Sequence, residues 1–455
     1  MRARTWAMCI YALIGGSAWA QISPPTGIST TADDAAQATP AAAVPQDWAI
    51  HAQSTYVQQY QPAFHSPYQG PQSLSPAANG RETYDATIFA GYRPWQGGEI
   101  WINPEIDQGF GIGNSFGVAG YVSGEAYKLG NKDPYYRMGH AIFRQTFDLG
   151  GESQTVDADI NQFGGTQTAN RVVITFGKLS VVDIFDTNKY AHDPRGDFLN
   201  WAVLDVGTFD YAADAWGDTY GITAEWYQDW WTARVGLFDM PSTPNSTALS
   251  LPLAQQTQFV AELEERHVLF EQPGSLKFLY FLSRGNLGTY SDALAAANGA
   301  APSLAAVANY RSKFGVSLNL EQQLAPDIGL FARAGWSQGG VQEDAFTDIN
   351  ESISAGLSIT GARWGRPDDK VGLAGAANQI SHAGKLYLAA GGMGGIIGDG
   401  QLPSAGPEQI IETYYSLALF GFASLSADYQ FIRNPAYNQQ RGPVSVFAMR
   451  LHVEY

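Results

Sequence analysis

The chain has 455 residues, a formal net charge of −17 and a mean hydropathy of −0.17. The acidic balance argues against nucleic-acid binding, because phosphate backbones need a basic surface. Beyond the N-terminus no window reaches the ~18 consecutive apolar residues of a transmembrane helix, which excludes a helical membrane protein. The 23 Tyr, 23 Phe, 12 Trp and 50 Gly are instead typical of a chain of strands and turns.

The N-terminus has the features of a secretory signal peptide, which we predict to occupy residues 1–20. Arg2 and Arg4 supply a basic start, residues 6–14 form a short apolar core, and small residues lead to a cleavage site after Ala20. The single cysteine of the chain lies inside this segment. The exported chain would therefore have neither disulfides nor thiolate metal sites. We expect no metal and no cofactor.

Residues 21–46 are rich in Pro, Ala, Thr and Ser, and we predict a flexible lead there. From residue 47 to residue 455, strand-like segments continue without a linker, so we predict one domain. In residues 313–320, for example, apolar and polar side chains alternate, which places them on opposite faces of a strand. The same alternation recurs in residues 231–237, 327–336 and 351–359.

This patterning predicts an all-β fold, a transmembrane antiparallel β-barrel of about sixteen strands with apolar side chains facing lipid. Short turns alternate with long polar or Gly-rich connections near residues 107–135, 183–216, 284–310 and 380–410. Short periplasmic turns on one rim and long extracellular loops on the other are typical of outer-membrane barrels. A barrel of this size leaves an aqueous channel rather than a filled core.

The last segment, residues 447–455, shows the two-faced pattern most clearly. Phe447, Met449 and Leu451 alternate with residues that can carry charge, such as Arg450. An unpaired strand of this kind would aggregate in water, but it suits the closing strand of a barrel between lipid and a wet lumen. The final aromatic residue resembles the terminal signal by which the outer-membrane assembly machinery recognises its clients.

Several short blocks of sequence, spread over residues 80–455, stand out as a set. They read YRPW at 92–95, KLSVVDIFD at 178–186, HDPR at 192–195, FLNW at 198–201, YAAD at 211–214, YQFIRNPAYN at 429–438 and RGPVSVF at 441–447. Together they resemble the carbohydrate-selective porins of the OprB type. Any one of the blocks alone would carry little information.

The resemblance implies an outer-membrane porin of a Gram-negative bacterium that passes mono- or small oligosaccharides by facilitated diffusion, with loops folded inward to narrow the lumen. It implies as partners sugar solutes, outer-membrane lipid and lipopolysaccharide, and the assembly machinery, and it leaves a homotrimer or a monomer open. Two alternatives remain: a barrel of other specificity, such as a general or anion porin, and a secreted carbohydrate-binding β-protein. No nucleophile motif indicates an enzyme, so no catalytic residue is predicted.

A sugar channel needs forked hydrogen-bond donors, carboxylate acceptors and flat aromatic surfaces, and its binding must stay weak for the solute to leave. Arginine supplies a rigid fork of donors. The arginines that strand alternation predicts to face the lumen and line the channel are Arg144, Arg171, Arg234, Arg333 and Arg450. Each could instead have a structural role, paired with an acidic neighbour in the wall.

The constriction is expected to come from loops, because binding residues concentrate there. The first candidate segment, residues 93–105, offers Arg93, Trp95, Glu99 and Glu105. The second, residues 190–201, offers Asp193, Arg195, Asn200 and Trp201. Pro and Gly in both segments suit constrained loops. The alternative for both is a solvated extracellular loop with internal ion pairs.

Overall fold

The computed structural model describes residues 46–126, 130–251 and 255–455. The predicted signal peptide, residues 1–20, lies outside these ranges, and so does all but the last residue of the predicted lead, residues 21–46. Within the described ranges, no helix is long and apolar enough to cross a membrane.

The described residues form sixteen antiparallel strands that close into one barrel. The strands are β1 Trp48–Gln61, β2 Asn79–Trp95, β3 Gly98–Gly109, β4 Asn131–Val156, β5 Gly165–Leu179, β6 Thr219–Tyr227, β7 Trp231–Asp239, β8 Thr257–Leu269, β9 Gln272–Leu287, β10 Asn309–Ala325, β11 Ile328–Ser337, β12 Glu351–Gly361, β13 Arg366–Gln379, β14 Glu408–Leu419, β15 Ala423–Arg433 and β16 Val444–Glu454. Each strand pairs with its neighbours in sequence, and β1 pairs with β16, with Tyr56 opposite Leu451. The prediction of a barrel of about sixteen strands is confirmed.

The two faces of each strand follow the alternation in the sequence. On β10, Phe314 and Leu318 are exposed on the outer surface, whereas Lys313 and Ser317 are buried inside the barrel. Outer side chains pack across strands, as Phe314 does against Trp336 with ring centroids 5.5 Å apart. Cross-strand aromatic pairs of this kind stabilise a sheet and present an apolar surface to lipid.

The two rims of the barrel differ sharply. Tight turns connect strands on one rim, at residues 96–97, 228–230, 270–271, 326–327 and 420–422. Long segments connect them on the other, at residues 62–78, 110–130, 180–218, 240–256, 288–308, 338–350, 380–407 and 434–443. Three short helices lie in these long segments: α1 Trp201–Leu204, α2 Tyr290–Ala296 and α3 His382–Ala389. The predicted layout of short turns and long loops is therefore present.

The long segments fold back into the barrel, so the apolar core lies inside the lumen. Phe198 of the segment between β5 and β6 packs against Phe331 and Tyr414 of the wall, with centroids 5.5 and 5.0 Å apart. The ring of Tyr190 reaches Gly329, near the short-turn end of β11, where any side chain would collide with it. The expected inward-folded loops are present, and they narrow the lumen that the barrel encloses.

Candidate functional site

The segment between β5 and β6, residues 180–218, crosses the lumen, and we call it the inward segment. Its first anchor lies at Asp186, whose backbone amide donates to Glu262 of β8 at 2.8 Å. Asn319 of β10 donates to the carboxylate of Asp186, also at 2.8 Å. Two strands of the wall therefore fix the start of the inward segment, and such buried, charge-assisted hydrogen bonds are strong.

Two arginines of the wall hold the middle of the inward segment. Arg333 of β11 donates to the backbone oxygens of Ala191, at 2.6 Å, and Val203, at 2.9 Å. Arg450 of β16 donates to the backbone oxygen of Asp197 at 2.8 Å. Both arginines face the lumen, but both are only 2% exposed. Arg333 also lies 3.6 Å from the carboxylate of Asp186, and Arg450 donates to the hydroxyl of Ser426 at 3.2 Å. Their predicted role as channel lining is corrected: both side chains bind the inward segment and act as tethers.

Four aromatic residues, Tyr121, Trp201, Tyr211 and Phe346, meet inside the barrel and form what we call the aromatic cluster. Trp201, the first residue of α1, stacks on Tyr121 with ring centroids 5.1 Å apart and planes 16° apart. Phe346 and Tyr211 contact Trp201 at centroid distances of 5.2 and 5.8 Å. These separations are typical of favourable aromatic packing.

A cavity of about 580 Å³ adjoins the aromatic cluster. Its lining extends from the cluster to residues 159–161 and Glu454, which lie near the short-turn rim. Polar side chains that line it include Glu105, Glu125, Arg137, His140, Asp183, His192, Asp193, Arg195, Asp205 and Asp218. The volume lies in the range of about 300–1,000 Å³ that is usual for small-molecule sites.

Arg137 of β4 organises one side of the cavity. It pairs with Glu105 and with Asp218, each at 2.6 Å. His140, three residues further along β4, lies 3.3 Å from Asp218 and 3.4 Å from Asp183. The sequence analysis missed both basic residues. Side chains three positions apart normally face opposite sides of a strand, and a shift of the β3–β4 register brings both into the lumen.

The predicted residues Asp193 and Arg195 both lie at the cavity. Arg195 lies 3.6 Å from Asp85, 3.7 Å from Glu125 and 4.0 Å from Asp193. The side chain of Asp193 is 54% exposed. This part of the inward segment therefore presents a carboxylate acceptor beside a guanidinium donor, the two kinds of group that hydroxyl-rich solutes need.

His192 of the inward segment also lines the cavity, and its Nδ1 lies 3.1 Å from a carboxylate oxygen of Asp205. Burial by itself lowers the pKa of His192. The hydrogen bond to Asp205 and the negative charge of Asp205 outweigh burial, so the pKa of His192 is raised above 6.5. The pairing favours the protonated ring. Among the described residues, no group of three or more His, Cys, Asp or Glu side chains is arranged to hold a metal ion.

The family model described as carbohydrate-selective porin, OprB family, matches residues 72–455, which is most of the chain. The chain belongs to this family. The closed barrel with inward loops agrees with the fold of outer-membrane channel proteins.

Solved structures that resemble this porin are outer-membrane channels. The high-pH structure of Pseudomonas putida OprB has 14% sequence identity and a TM-score of 0.68, with 90% of this chain and 94% of that chain covered. The outer-membrane channel DcaP of Acinetobacter baumannii has 10% identity and a TM-score of 0.48, with 90% and 97% covered. At these identities the likeness concerns the fold alone. Among curated proteins, none matches this chain significantly.

The family places this porin in the outer membrane, with carbohydrates as the class of solute. The family and the fold are those of channel proteins rather than of enzymes.

The first predicted constriction segment of this porin, residues 93–105, is not a loop. It is the hairpin of β2 and β3, with its tight turn at residues 96–97 on the short-turn rim. Pro94, Gly97 and Gly98 lie at or beside this turn, whereas Pro104 lies within β3 at a shift of the β3–β4 register. Trp95 points outward, is 56% exposed and contacts Phe143 of β4 at a centroid distance of 5.9 Å. Trp95 therefore belongs to the outer aromatic surface rather than to a constriction.

The charged residues of the same hairpin face the lumen at different depths. Arg93 pairs with Glu99 at 3.4 Å, and Arg144 of β4 pairs with Glu99 at 3.3 Å, all towards the short-turn rim. Glu105 lies deeper and lines the cavity, where Thr87 donates to it at 2.9 Å. Of the four residues predicted in this segment, only Glu105 reaches the cavity.

Two further predicted lining arginines of this porin pair within the wall. Arg171 lies over the ring of Tyr227, 3.8 Å from its centroid. Arg234 forms ion pairs with Glu225, Glu262 and Glu264 at 3.3, 2.8 and 2.7 Å respectively. Neither arginine lines the cavity. The alternative considered for them, pairing with an acidic neighbour in the wall, is the arrangement of Arg234, whereas Arg171 contacts an aromatic ring.

Asn200, predicted as a constriction residue, has no exposed surface. Its side-chain oxygen accepts from the backbone amide of Ala202 at 3.1 Å, which caps α1. Its amide nitrogen donates to the backbone oxygen of Gly120 at 2.8 Å and to Gln430 at 3.0 Å. All of its hydrogen-bonding capacity is used internally, so Asn200 shapes the inward segment instead of meeting solute.

Proposed function

We propose that this porin passes mono- and small oligosaccharides by passive diffusion and that the sugar is recognised where the aromatic cluster meets the polar cavity. The observation that carries this proposal is the stack of Trp201 on Tyr121 at a cavity that also exposes carboxylates. A pyranose ring has weakly apolar C–H faces and a rim of hydroxyls. Trp201 and Tyr121 are 6% and 5% exposed, so they present the aromatic edge of the stack to the cavity. That edge, beside charged acceptors and donors, complements both parts of the ring.

The hydroxyl contacts are proposed to come from cavity residues that retain exposed polar atoms. Asp183 and Asp193 have side chains that are 46% and 54% exposed, and Arg195 lies beside Asp193. Glu105 contributes through its pair with Arg137. Binding spread over several partly hydrated groups stays weak, which a channel needs because a tightly held solute stops conduction.

Export and assembly are also proposed. Residues 1–20 act as the signal peptide, the terminal aromatic Tyr455 is read by the assembly machinery, and the outer apolar surface meets lipid and lipopolysaccharide. Either a homotrimer or a monomer agrees with the proposed mechanism, because each barrel encloses its own cavity.

The test is ion current through the purified protein in planar bilayers, titrated with a panel of neutral mono- and oligosaccharides. We expect at least one sugar to reduce the current reversibly. Trp201→Ala is expected to raise the half-blocking sugar concentration about tenfold, which corresponds to the loss of a stacked aromatic contact of about 1.4 kcal/mol. Trp336→Ala, which removes an outward-facing tryptophan of β11, is the matched control and is expected to leave the block unchanged.

Two results would contradict the proposal. A current that no sugar reduces would favour the alternative of a general porin. Equal effects of the Trp201 and Trp336 substitutions would remove the aromatic cluster from the sugar path. Liposome swelling with the same panel gives the preferred sugar size independently of the ion current.

A further inference from the structure

Two buried glutamates of β14, Glu408 and Glu412, connect the wall to the two backbones that carry the stacked rings. We propose that they are positioning residues that hold Tyr121 and Trp201 face to face. This inference rests on the proposed function, since it assigns the wall groups that build the sugar platform. Neither glutamate lines the cavity, so any effect on sugar must pass through the residues they hold.

Glu412 holds the backbone that leads into Trp201. Its carboxylate accepts from the backbone amide of Leu199 at 2.5 Å and from that of Asn200 at 3.1 Å. Trp201 is the next residue, and Glu412 has no exposed surface. Two hydrogen bonds to consecutive amides define both the position and the orientation of the chain at that point.

Glu408 holds the backbone that leads into Tyr121. It accepts from the backbone amides of Ala119, at 2.9 Å, and Gly120, at 2.7 Å, directly before Tyr121. It also accepts from the amide of Ala436 at 2.8 Å and is fully buried. The two glutamates share one face of β14 because they are four positions apart, roughly 13 Å along the strand.

The two held segments are bonded directly to each other. The amide of Trp201 donates to the backbone oxygen of Tyr121 at 3.0 Å. The amide of Gly124 donates to the backbone oxygen of Leu199 at 2.8 Å. Gln430, opposite Glu412 on β15, donates to the backbone oxygen of Val122 at 2.9 Å. The stacking of Trp201 on Tyr121 therefore depends on two loop segments that bind each other and on wall residues that bind both.

The chemistry of the two positions supports a dedicated role. Burying a carboxylate is costly unless hydrogen bonds compensate it. Within the described part of the chain, neither glutamate forms an ion pair with a basic side chain. Backbone amides donate to both glutamates, and Asp428 of β15 is a further hydrogen-bond partner of Glu412. A wall that only had to close the barrel could carry uncharged side chains at both positions.

The experiment compares Glu412→Asp, Glu412→Gln and Glu408→Gln with Glu264→Gln in the full chain reconstituted in bilayers. Glu264 is a buried wall glutamate whose ion-pair partners, Arg234 and Arg266, also belong to the wall. Glu412→Asp keeps the carboxyl group but shortens its reach, and is expected to raise the half-blocking sugar concentration about tenfold. The two Gln variants keep one acceptor oxygen and are expected to raise it about threefold. Glu264→Gln is expected to leave it unchanged.

A double-mutant cycle with Trp201→Ala separates positioning from general stability. If Glu412 acts through the ring of Trp201, Glu412→Asp has little further effect in the Trp201→Ala background, because coupled residues are non-additive. The near-ultraviolet circular dichroism of the detergent-solubilised porin is expected to change in Glu412→Asp and in Glu408→Gln, but not in Glu264→Gln.

The outcomes are distinguishable. Sugar block that weakens in Trp201→Ala but not in the Glu412 and Glu408 variants overturns the positioning role and leaves the proposed function intact. Fully additive effects of Trp201→Ala and Glu412→Asp overturn it as well. Sugar block that is unchanged in Trp201→Ala removes the platform itself, and with it both proposals. If Glu412→Asp does not assemble into a barrel, the two Gln variants carry the comparison.

Discussion

The guanidinium of Arg450, on the last strand of the barrel, donates a hydrogen bond of 2.8 Å to the backbone oxygen of Asp197 in the middle of the inward segment. The closing strand thus does more than complete the sheet. Arg450 helps to hold the segment that carries Trp201 across the lumen, so one side chain links the closing strand to the proposed sugar platform.

Replacing Arg450 with Ala should loosen the inward segment. Buried carbonyls left without a donor cost about 1–3 kcal/mol each, which favours conformations with the segment displaced. We expect a larger and noisier single-channel conductance and a higher half-blocking sugar concentration. Arg433→Ala, at an exposed arginine of β15, is the control. Unchanged conductance and noise in Arg450→Ala would rule out the tether.

Glu105 and Arg93, which sequence analysis grouped in one segment, should behave differently. Glu105 lines the cavity and pairs with Arg137, whereas Arg93 pairs with Glu99 near the short-turn rim. Glu105→Ala should therefore change the half-blocking sugar concentration about threefold or more. Arg93→Ala should resemble Asp368→Ala, a substitution at an exposed position near the start of β13. A larger effect of Arg93→Ala would place the recognition site near the rim.

The channel should prefer cations to anions. The half-exposed cavity carboxylates Asp183 and Asp193 outweigh the largely covered Arg137 and Arg195. Reversal potentials in a KCl gradient should show K⁺ passing more readily than Cl⁻, by about twofold or more at low salt, with the preference shrinking as salt screens the charges. The double variant Asp183→Asn, Asp193→Asn should show a smaller preference for K⁺ over Cl⁻. Anion preference in the unmodified porin would contradict this prediction.

His192 should make the inward segment sensitive to pH. Burial opposes protonation, but Asp205 and Asp186 favour it more than Arg333 disfavours it, so the folded-state pKa lies above 6.5. The stabilisation from the protonated ring is fully present below that unfolded value and is lost as the pH rises through the folded pKa. Current noise should therefore increase as the pH is raised from below 6.5 through the folded-state pKa of His192.

His192→Gln is the test of that assignment, because glutamine can still hydrogen-bond to Asp205 but does not titrate. This variant should lack the pH-dependent rise in current noise or show a clearly smaller one. A rise that persists in His192→Gln would assign the sensitivity to another group, and His140 beside Asp183 and Asp218 is then the next to replace.

The sequence predicted the barrel well because the signal repeats in every strand. Alternation on β10 placed Lys313 inside and Phe314 outside, and each added strand strengthened the same conclusion. It also predicted correctly that Arg333 and Arg450 face inward. It did not predict what they bind, because their partners, the carbonyls of Ala191 and Asp197, lie more than a hundred residues away.

The candidate site was predicted less completely. Asp193, Arg195 and Trp201 were recognised as a block and do reach the cavity. Arg137 and His140 were missed because a register shift between β3 and β4 breaks the period of two on which the prediction depended.

By itself the sequence determined the architecture of this porin. Strands with one apolar and one polar face recur sixteen times, and in lipid a closed barrel pairs the backbone groups of all of them. Only the tertiary structure decided which lumen-facing side chains meet solute. That choice depends on where the long segments fold back, which is set by contacts distant in sequence, such as Glu412 with Leu199 and Arg450 with Asp197. Local periodicity carries no information about such pairs, because the free energy that selects them arises only when the barrel has closed around the loops.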